Sequence, residues 1–547
     1  MSVAKRAQAY PQTSAAAGDL VDVAVAAAPA GSTVGAALKL VRKRDARVLA
    51  AGERYVLRED LSRASLLGLG DLHAADLARA LPCVDARAGE VAVRRLLQAG
   101  APLVVVRDRR GPVGAVAGRP GGGEPVAAAA ARVARCVPAE TRALLERIGR
   151  LAAAQGARAF LVGGMVRDVW RETPIERRDL DIVVEGDGLA LARRLARDLG
   201  GAVLEHHRFL TASVDAPRAG RIDVATARAE RYEARGALPR VMPATLEDDL
   251  RRRDVTVNAM AIELQSGAFG LHDPLGGRLD LAARRLRVLH PLSYVEDPTR
   301  IFRAARYATR LGLATDRATA RAQALALSLV PYPALSGQRL MAELARVLDE
   351  GRPGVVLTRL GAAGAFKLLD PRYRFTVATR RRVGELGAAL AWARRCAAPP
   401  ADLAALALVG DQPRPVAAAA LARLALAGEP LAHLSRALEE GRSVLAALAR
   451  AAAPSERARL LHPRSPVELG WLWLAGDGPT RAVLDWFAGL DPRLVELSGD
   501  DVLALGVPRG PAVARVLAEL RDGRLDGRLT NRVMEVEHVR HWMTRGG

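Results

Sequence analysis

"FLVGGMVRDVWRETPIERRDLDIVVEGDG", residues 160–188, is the stretch that decides how this chain is read. Gly163 and Gly164 make a tight turn, and Asp179 and Asp181 flank Leu180 at the start of an apolar run. Side chains alternate faces along a strand, so the two carboxylates point one way and Leu180 the other. Like charges side by side repel, and something must favour keeping them there. Two carboxylates on one face at the exposed end of a strand can bridge Mg²⁺, which takes oxygen ligands and completes its shell with substrate phosphates. Alone, a D-x-D is weak evidence, because most are turns or helix N-caps. The glycine turn changes its weight. Between a strand and a helix, Gly163 and Gly164 offer backbone N–H groups to a triphosphate, with Arg167 adding charge nearby. The plainer alternative is a simple turn in which Arg167 and Asp168 form a surface ion pair.

Composition bounds what surrounds this stretch. The chain of 547 residues is too long for one core, and half of it is hydrophobic while only 4% is aromatic. Leu, Ala and Val therefore carry the packing, which favours helices over sandwiches or barrels. Lys and Arg exceed Asp and Glu by 21, a field that attracts polyanions, nucleic acid first among them. The three cysteines, Cys83, Cys136 and Cys396, are isolated, which argues against a disulfide framework and for a reducing compartment. Arginines break every long apolar run, so no membrane-spanning helix is expected. Asp19 and Asp22 interrupt the apolar N-terminal stretch, unlike a signal peptide, and a cytoplasmic location is the simplest reading.

Three textures follow one another along the chain. "STVGAALKLVRKRDARVLAAGERYVLREDLSRA" (32–64) and "PCVDARAGEVAVRRLLQAGAPLVVVRDRRGPVGAVAGR" (82–119) each read as helix, strand, turn, strand, an internal repeat. The arrangement resembles a pair of CBS modules, which commonly bind adenine nucleotides. The Ser/Thr-x-x-Asp ribose signature is missing after "VGAVAG", which favours a packing or dimerising role. "RPGGGEPVAAAAARVARCVP" (119–138) reads as a linker running into a helix. Strands are expected at "AFLVGG", "LDIVVEG", "RIDVAT" and "MAIEL", and from about residue 291 nearly everything reads as amphipathic helix.

The stretch 160–188, followed by "LRRRDVTVNAMAI" (250–262), "HDPLGGRLDL" (272–281) and "YVEDPTRIFRAARYATRLG" (294–312), resembles the class II tRNA nucleotidyltransferase and bacterial poly(A) polymerase family. The motifs stand in the family's order over residues 140 to 370, with looser likeness through "LSGQRLMAELARVL" and "SGDDVLALGVPRGP". The resemblance implies an α+β chain: a CBS-like α/β pair (1–120), a linker (121–140), a nucleotidyltransferase head with a small mixed sheet (141–290), nucleotide-reading neck helices (291–370), and an all-helical body and tail that bind RNA (371–547). It also implies the roles. Asp179 and Asp181 hold Mg²⁺; Gly163, Gly164, Arg167 and Asp168 meet the triphosphate or sugar; Arg252 is a nucleotide contact; Asn258 supports the fold.

Two further readings come from the residues themselves. Arg252 and Arg253 at the entry to a strand-like segment could grip phosphate or ribose oxygens, with Asp254 orienting one of them. Asp297 before Pro298 is a helix N-cap followed by N1, and Asp297, Arg300 and Arg303 then fall along one side of a helix. An Asp acceptor beside an Arg donor fits the edge shared by cytosine and adenine, an exocyclic amine next to a bare ring nitrogen. Guanine and uracil would leave both partners facing the wrong group. The family is thought to select nucleotides this way, and Asp297 and Arg300 match its reading positions while Arg303 matches a further contact. Asp223 in "GRIDVATARAE" is a candidate third carboxylate, with pairing to Arg221 or Arg228 as the alternative. His206 and His207 have no partners at metal spacing, and "GVPRGP" with Arg509 is either an RNA-backbone contact or an inter-helix turn.

The expected activity is template-independent addition of C or A, or both, to the 3′ end of tRNA or other RNA, from ATP and CTP with Mg²⁺. Expected partners are RNA and nucleotides, with no membrane, and a homodimer through the CBS-like or helical regions is a further expectation. A poly(A) polymerase, a catalytically inactive adenylate-sensing RNA-binding protein, and transfer to a small molecule are the rivals. The intact Asp pair argues against an inactive head, and a long basic helical region against a small acceptor.

Overall fold

The computed structural model describes residues 15–545 except 100, 119–125, 176–178, 218, 268, 427 and 492, so the glycine-rich start of the expected linker lies outside the described residues. Two compact units divide the chain, one ending at Leu335 and the other beginning at Ser336. That division falls inside the span expected for the neck, 291–370.

The first unit opens with the repeat read from the sequence, and each copy carries one more strand than expected. Strands β1 (Val25–Ala27), β2 (Val48–Ala51) and β3 (Arg54–Leu57) form one sheet; β4 (Cys83–Asp85), β5 (Leu103–Asp108) and β6 (Gly111–Ala117) form the other. In both, the first strand runs parallel to the second and the second turns back into the third. A helix bridges each parallel pair, Val34–Lys43 in one copy and Glu90–Gln98 in the other, as a parallel connection requires.

The helix Val126–Cys136 occupies most of the expected linker. Ala129, Val133 and Cys136, one side of it, are buried in the head's core, so this helix belongs to the head rather than to a connector. Behind it stands a seven-stranded mixed sheet of β7 (Arg158–Val162), β8 (Leu180–Glu185), β9 (Ala202–His206), β10 (Thr211–Ala216), β11 (Gly220–Thr226), and, after the two-stranded ribbon β12 (Arg228–Arg231) and β13 (Arg240–Pro243), β14 (Ala261–Glu263) and β15 (Leu271–His272). The spatial order is β15-β14-β7-β8-β11-β10-β9, and β8 with β11 is the parallel pair. All four strands expected from the sequence are present. One face of the sheet packs Leu161, Ile182, Val214 and Ile222 against the flanking helices. Helix Gly188–Leu199 is capped by Asp187, whose carboxylate accepts from Ala190 N. The neck helices Thr299–Leu311 and Arg317–Ser328 complete the unit.

Among the described residues the second unit holds helices and no strand. Helix Val377–Ala393 is packed by Pro353–Ala362, Pro400–Val409 and Pro466–Ala475. The C-terminal helices share a separate small core of Leu497, Val502, Val516, Leu520 and Val539. "GVPRGP" is the turn between Gly499–Ala504 and Pro511–Leu525. No helix among the described residues is long and apolar enough to cross a membrane.

Close helix-to-sheet packing depends on Gly149, where a Cβ would come within 2.1 Å of the Leu264 carbonyl oxygen. Gly149→Ala is expected to cost roughly 1–3 kcal/mol through forced backbone shifts, read as a lower denaturant midpoint for the head.

Candidate active site

The paired aspartates stand at the leading end of β8, where the chain enters the parallel pair. Asp181 on β8 is the register partner of Asp223 on β11, and Ile182 partners Val224 one step on. Residues in register on neighbouring strands face the same side about 4.8 Å apart. Asp179 precedes the strand on that side, so Asp179, Asp181 and Asp223 share one edge. Asp223 is thus beside the pair, as expected. It accepts from Ser213 Oγ at 2.5 Å and from Arg221 Nε at 3.1 Å, both on its Oδ1. Arg228 is elsewhere, donating to the Phe209 carbonyl and lying 3.5 Å from Glu230.

A cleft of about 380 Å³ opens here, lined by Asp181, Asp223, Arg221, Ser213, His206 and Arg253. Asp181 keeps solvent access through the cleft but is walled in by protein, and this burial raises its pKa above the ordinary carboxylate range. Arg253 opposes the shift; the neighbouring Asp223 and Asp179 reinforce it. Three mutually repelling carboxylates around an open cleft are a donor set for a hard cation that binds oxygen. Among the described residues no three His, Cys, Asp or Glu side chains close into a metal cage, so an ion held here would need ligand oxygens or water as well. His207 contacts Glu205 at 3.3 Å and does not join such a set.

The glycine turn faces the same cleft. Gly163 takes φ +75°, a conformation that favours glycine, and a Cβ on it would come 3.2 Å from Asp181 Oδ2 and 3.9 Å from Arg253 Nη1. Gly164 opens the helix Gly164–Trp170, over which Arg167 folds back; its Nη2 would be 3.4 Å from a Cβ at Gly164. The Arg167–Asp168 pair is real but buried rather than at the surface, at 3.1 Å with both side chains about 6% exposed.

Arg167 also donates to Asn258 Oδ1 at 2.8 Å, and Asn258 Nδ2 reaches Asp254 Oδ1 at 3.4 Å. Asp254 receives Arg303 Nε at 2.9 Å. A buried polar chain therefore runs from the glycine-turn helix to the neck helix through "RRRDVTVN". This places Asn258 as a support of the fold and corrects the expectation that Asp254 orients Arg252 or Arg253. Their partner is Asp249, fully buried, which accepts Arg252 Nε at 3.0 Å on one oxygen and Arg253 Nη2 at 2.9 Å on the other. Burial would raise the Asp249 pKa, but the two guanidiniums outweigh it and hold the carboxyl low. Arg252 is further pinned by Glu230 at 2.8 Å, both arginines line the cleft, and Arg253 is the one whose charge acts on Asp181. The composition of an arginine run cannot tell which member points inward; the three-residue step from Asp249 to Arg252 and the four-residue step to Arg253 were the available signal.

At the neck, the helix begins at Thr299, with Pro298 as its N-cap and Asp297 one residue before it. Asp297 Oδ1 accepts from the Thr299 N–H at 3.0 Å and its hydroxyl at 2.6 Å, so the capping function is there although displaced by one residue. Arg300 is buried and donates to Ser293 Oγ at 3.0 Å, Tyr232 at 3.2 Å and the Arg252 carbonyl at 2.8 Å. Burial works to lower the Arg300 pKa; Tyr232, Asp297, Glu296 and Glu230 reverse it and fix the charge. The fold thus brings Asp181, Asp223, Arg252 and Arg253 to one cleft, with Asp179 and Gly163 beside Asp181, and ties Arg300 to the Arg252 carbonyl and Arg303 to Asp254.

Residues 159–287 match the Poly A polymerase head domain. The A-adding tRNA nucleotidyltransferase of Geobacter sulfurreducens is 32% identical over 426 residues, 73% of this chain; the match spans 46% of that relative, less than half its length. The CC-adding tRNA nucleotidyltransferase of Deinococcus radiodurans is 36% identical over 374 residues, 67% of this chain and 84% of that protein. Among solved structures, the Thermotoga maritima CCA-adding enzyme complexed with tRNA superposes with a TM-score of 0.64 at 25% identity, covering 77% of this chain and 99% of that one. The chain belongs to the class II tRNA nucleotidyltransferase family.

Proposed function

We propose that this chain extends the 3′ end of tRNA with C or A residues from CTP or ATP, releasing pyrophosphate. The observation that carries the reading is the register of Asp181 against Asp223, opposite the glycine turn and Arg253. The bond formed joins the terminal 3′ oxygen of the RNA to the α-phosphorus. The bond broken links that phosphorus to the bridging oxygen of the departing pyrophosphate, and the hydroxyl gives up its proton.

Asp179 and Asp181 would hold Mg²⁺, with Asp223 beside them. When bound, the ion supplies Lewis-acid polarisation of the phosphoryl oxygens. Gly163 leaves room for phosphate against the backbone, and Arg253 faces it with a guanidinium held in place by Asp249. Asp297 and Arg300 are the proposed base readers. Arg300 already has four acceptors around it, so it would present a fixed rather than a searching donor. We read the N-terminal repeats as a CBS-like pair packed on the head through Arg79, which donates to the Leu289 carbonyl at 3.3 Å. The net charge of +21 supports an RNA partner whose affinity falls steeply with salt.

Asp179→Ala and Asp181→Asn are each expected to lower single-turnover incorporation more than about 100-fold. RNA binding in a filter assay stays near wild type; retained turnover in either variant removes the metal assignment. Because Asp181 is raised by burial, acid should protonate it above the ordinary carboxylate range, and the rate should fall there. More Mg²⁺ competes with that proton and should shift the acid limb to lower pH; a limb that ignores Mg²⁺ contradicts the assignment. Finally, transcripts ending at the discriminator base, at C and at CC, each given CTP, ATP or both, separate the activities. Extension of all three to CCA marks a complete enzyme, and one A on the CC end alone an A-adding enzyme. Long A tails on any RNA would replace the tRNA reading with a poly(A) polymerase.

A further inference from the structure

Beyond the carboxylates the same face of the sheet continues across β10 and β9. The strand registers lay two rows over it. Asp181, Asp223, Ser213 and Leu204 are successive partners on β8, β11, β10 and β9, and Val183, Ala225, Thr211 and His206 form the next row. Over β7 and β8 this face is closed, because Phe160, Val162 and Val183 pack against Leu246 and Leu250 of the helix Leu246–Arg251. Over β9 it is open. Leu204 is 62% exposed although it stands only two strand spacings, roughly 10 Å, from Asp223. His206 is exposed and lines the cleft, while Glu205 between them turns to the other face and accepts from Arg193 at 2.6 Å.

The cleft therefore has two unlike ends. Gly163, Arg252 and Arg253 stand at one, where the Arg252 carbonyl accepts from Arg300 of the neck helix. The other is floored by Ser213, Thr211 and His206, with Leu204 alongside: hydroxyls, an imidazole and an apolar side chain. Displacement at phosphorus runs in line, the attacking oxygen arriving opposite the leaving one. Pyrophosphate leaving on the side of the glycine turn and Arg253 requires the attacking 3′ oxygen to come from the side of β10 and β9.

We propose that the open face of β9 and β10 seats the 3′-terminal nucleotide of the RNA, its ribose over Ser213 and Thr211 beside Asp223 and its base against Leu204 and the His206 ring. Unpaired bases are held by stacking on flat side chains, histidine among them, whichever base it is. Leu204 and His206 thus grip a terminal base without reading it, which suits an end whose last base changes as C or A residues are added. Base choice stays at the opposite end of the cleft, with the incoming nucleotide. The inference rests on the proposed polymerising activity for the direction of attack, while the binding surface can be tested without turnover.

An RNA stem whose 3′-terminal nucleotide is 4-thiouridine, photocrosslinked to the full chain without added nucleotide, reports where the last base rests. Adducts are expected within residues 202–213. The double variant Leu204→Ser, His206→Ala changes two exposed side chains, so its fold should survive, as circular dichroism would check. It should lose at least about fivefold of these adducts and, in steady-state extension, a similar factor in kcat/KM for RNA. Its KM for ATP or CTP should stay unchanged. Adducts confined to the neck or the helical body, no adducts at all, or undiminished crosslinking in the double variant would overturn the assignment. So would an unchanged kcat/KM for RNA, or a nucleotide KM that rises with it. A wild type that extends no RNA but crosslinks on β9 and β10 would remove the polymerising activity and leave the RNA seat standing.

Discussion

The constraint on which the head depends is the repulsion among three carboxylates. Asp181 and Asp223 face each other across a parallel strand pair, and Asp179 lies just ahead of them. Nothing in ordinary folding favours this; burial already pushes the Asp181 carboxyl toward its protonated form. The rest of the head can be understood as what makes the arrangement tolerable. Arg253 supplies opposing charge, Arg221 and Ser213 hold one oxygen of Asp223, and a sheet with apolar residues packed behind it fixes the register. Slipping β11 by one residue would set an apolar side chain opposite Asp181 and turn Asp223 to the other face, so hydrophobic pattern and chemistry enforce the same pairing.

The arginines of this chain do two kinds of work. Those around "RRRDVTVN" are half-buried and paired with buried carboxylates, forming a scaffold in which Asp249 holds two guanidiniums and Asp254 ties the neck helix to the glycine-turn helix. Removing one of these arginines would leave a buried carboxylate without its counter-charge, which is destabilising. Others, such as Arg509 in its turn between helices, are exposed surface charge. A net charge count treats both kinds alike, which is why it points to a partner but not to a site.

Much of the head was legible from the sequence because its signals are local. Strand β8 and the D-x-D follow from alternation alone, and the glycine turn from its place between apolar strand and helix. The helix Val126–Cys136 was expected at the end of the linker, but not its place: only the burial of Ala129, Val133 and Cys136 attaches it to the head. The pairing of Arg303 with Asp254 spans 49 residues, and no spacing rule reaches that far. The leading strands β1 and β4, each of three residues, are too short for periodicity to reveal. The cap at Asp297 was right in function and displaced by one residue in place, as helix ends commonly are.

Gly163 carries a consequence for the history of such chains. A single methyl group there would intrude on the space beside Asp181 and force an unfavourable backbone, yet every charged residue of the cleft would remain in the sequence. A descendant could therefore fall silent with all its aspartates intact. In comparing members of this fold, a side chain at this turn is therefore to be read alongside the carboxylates.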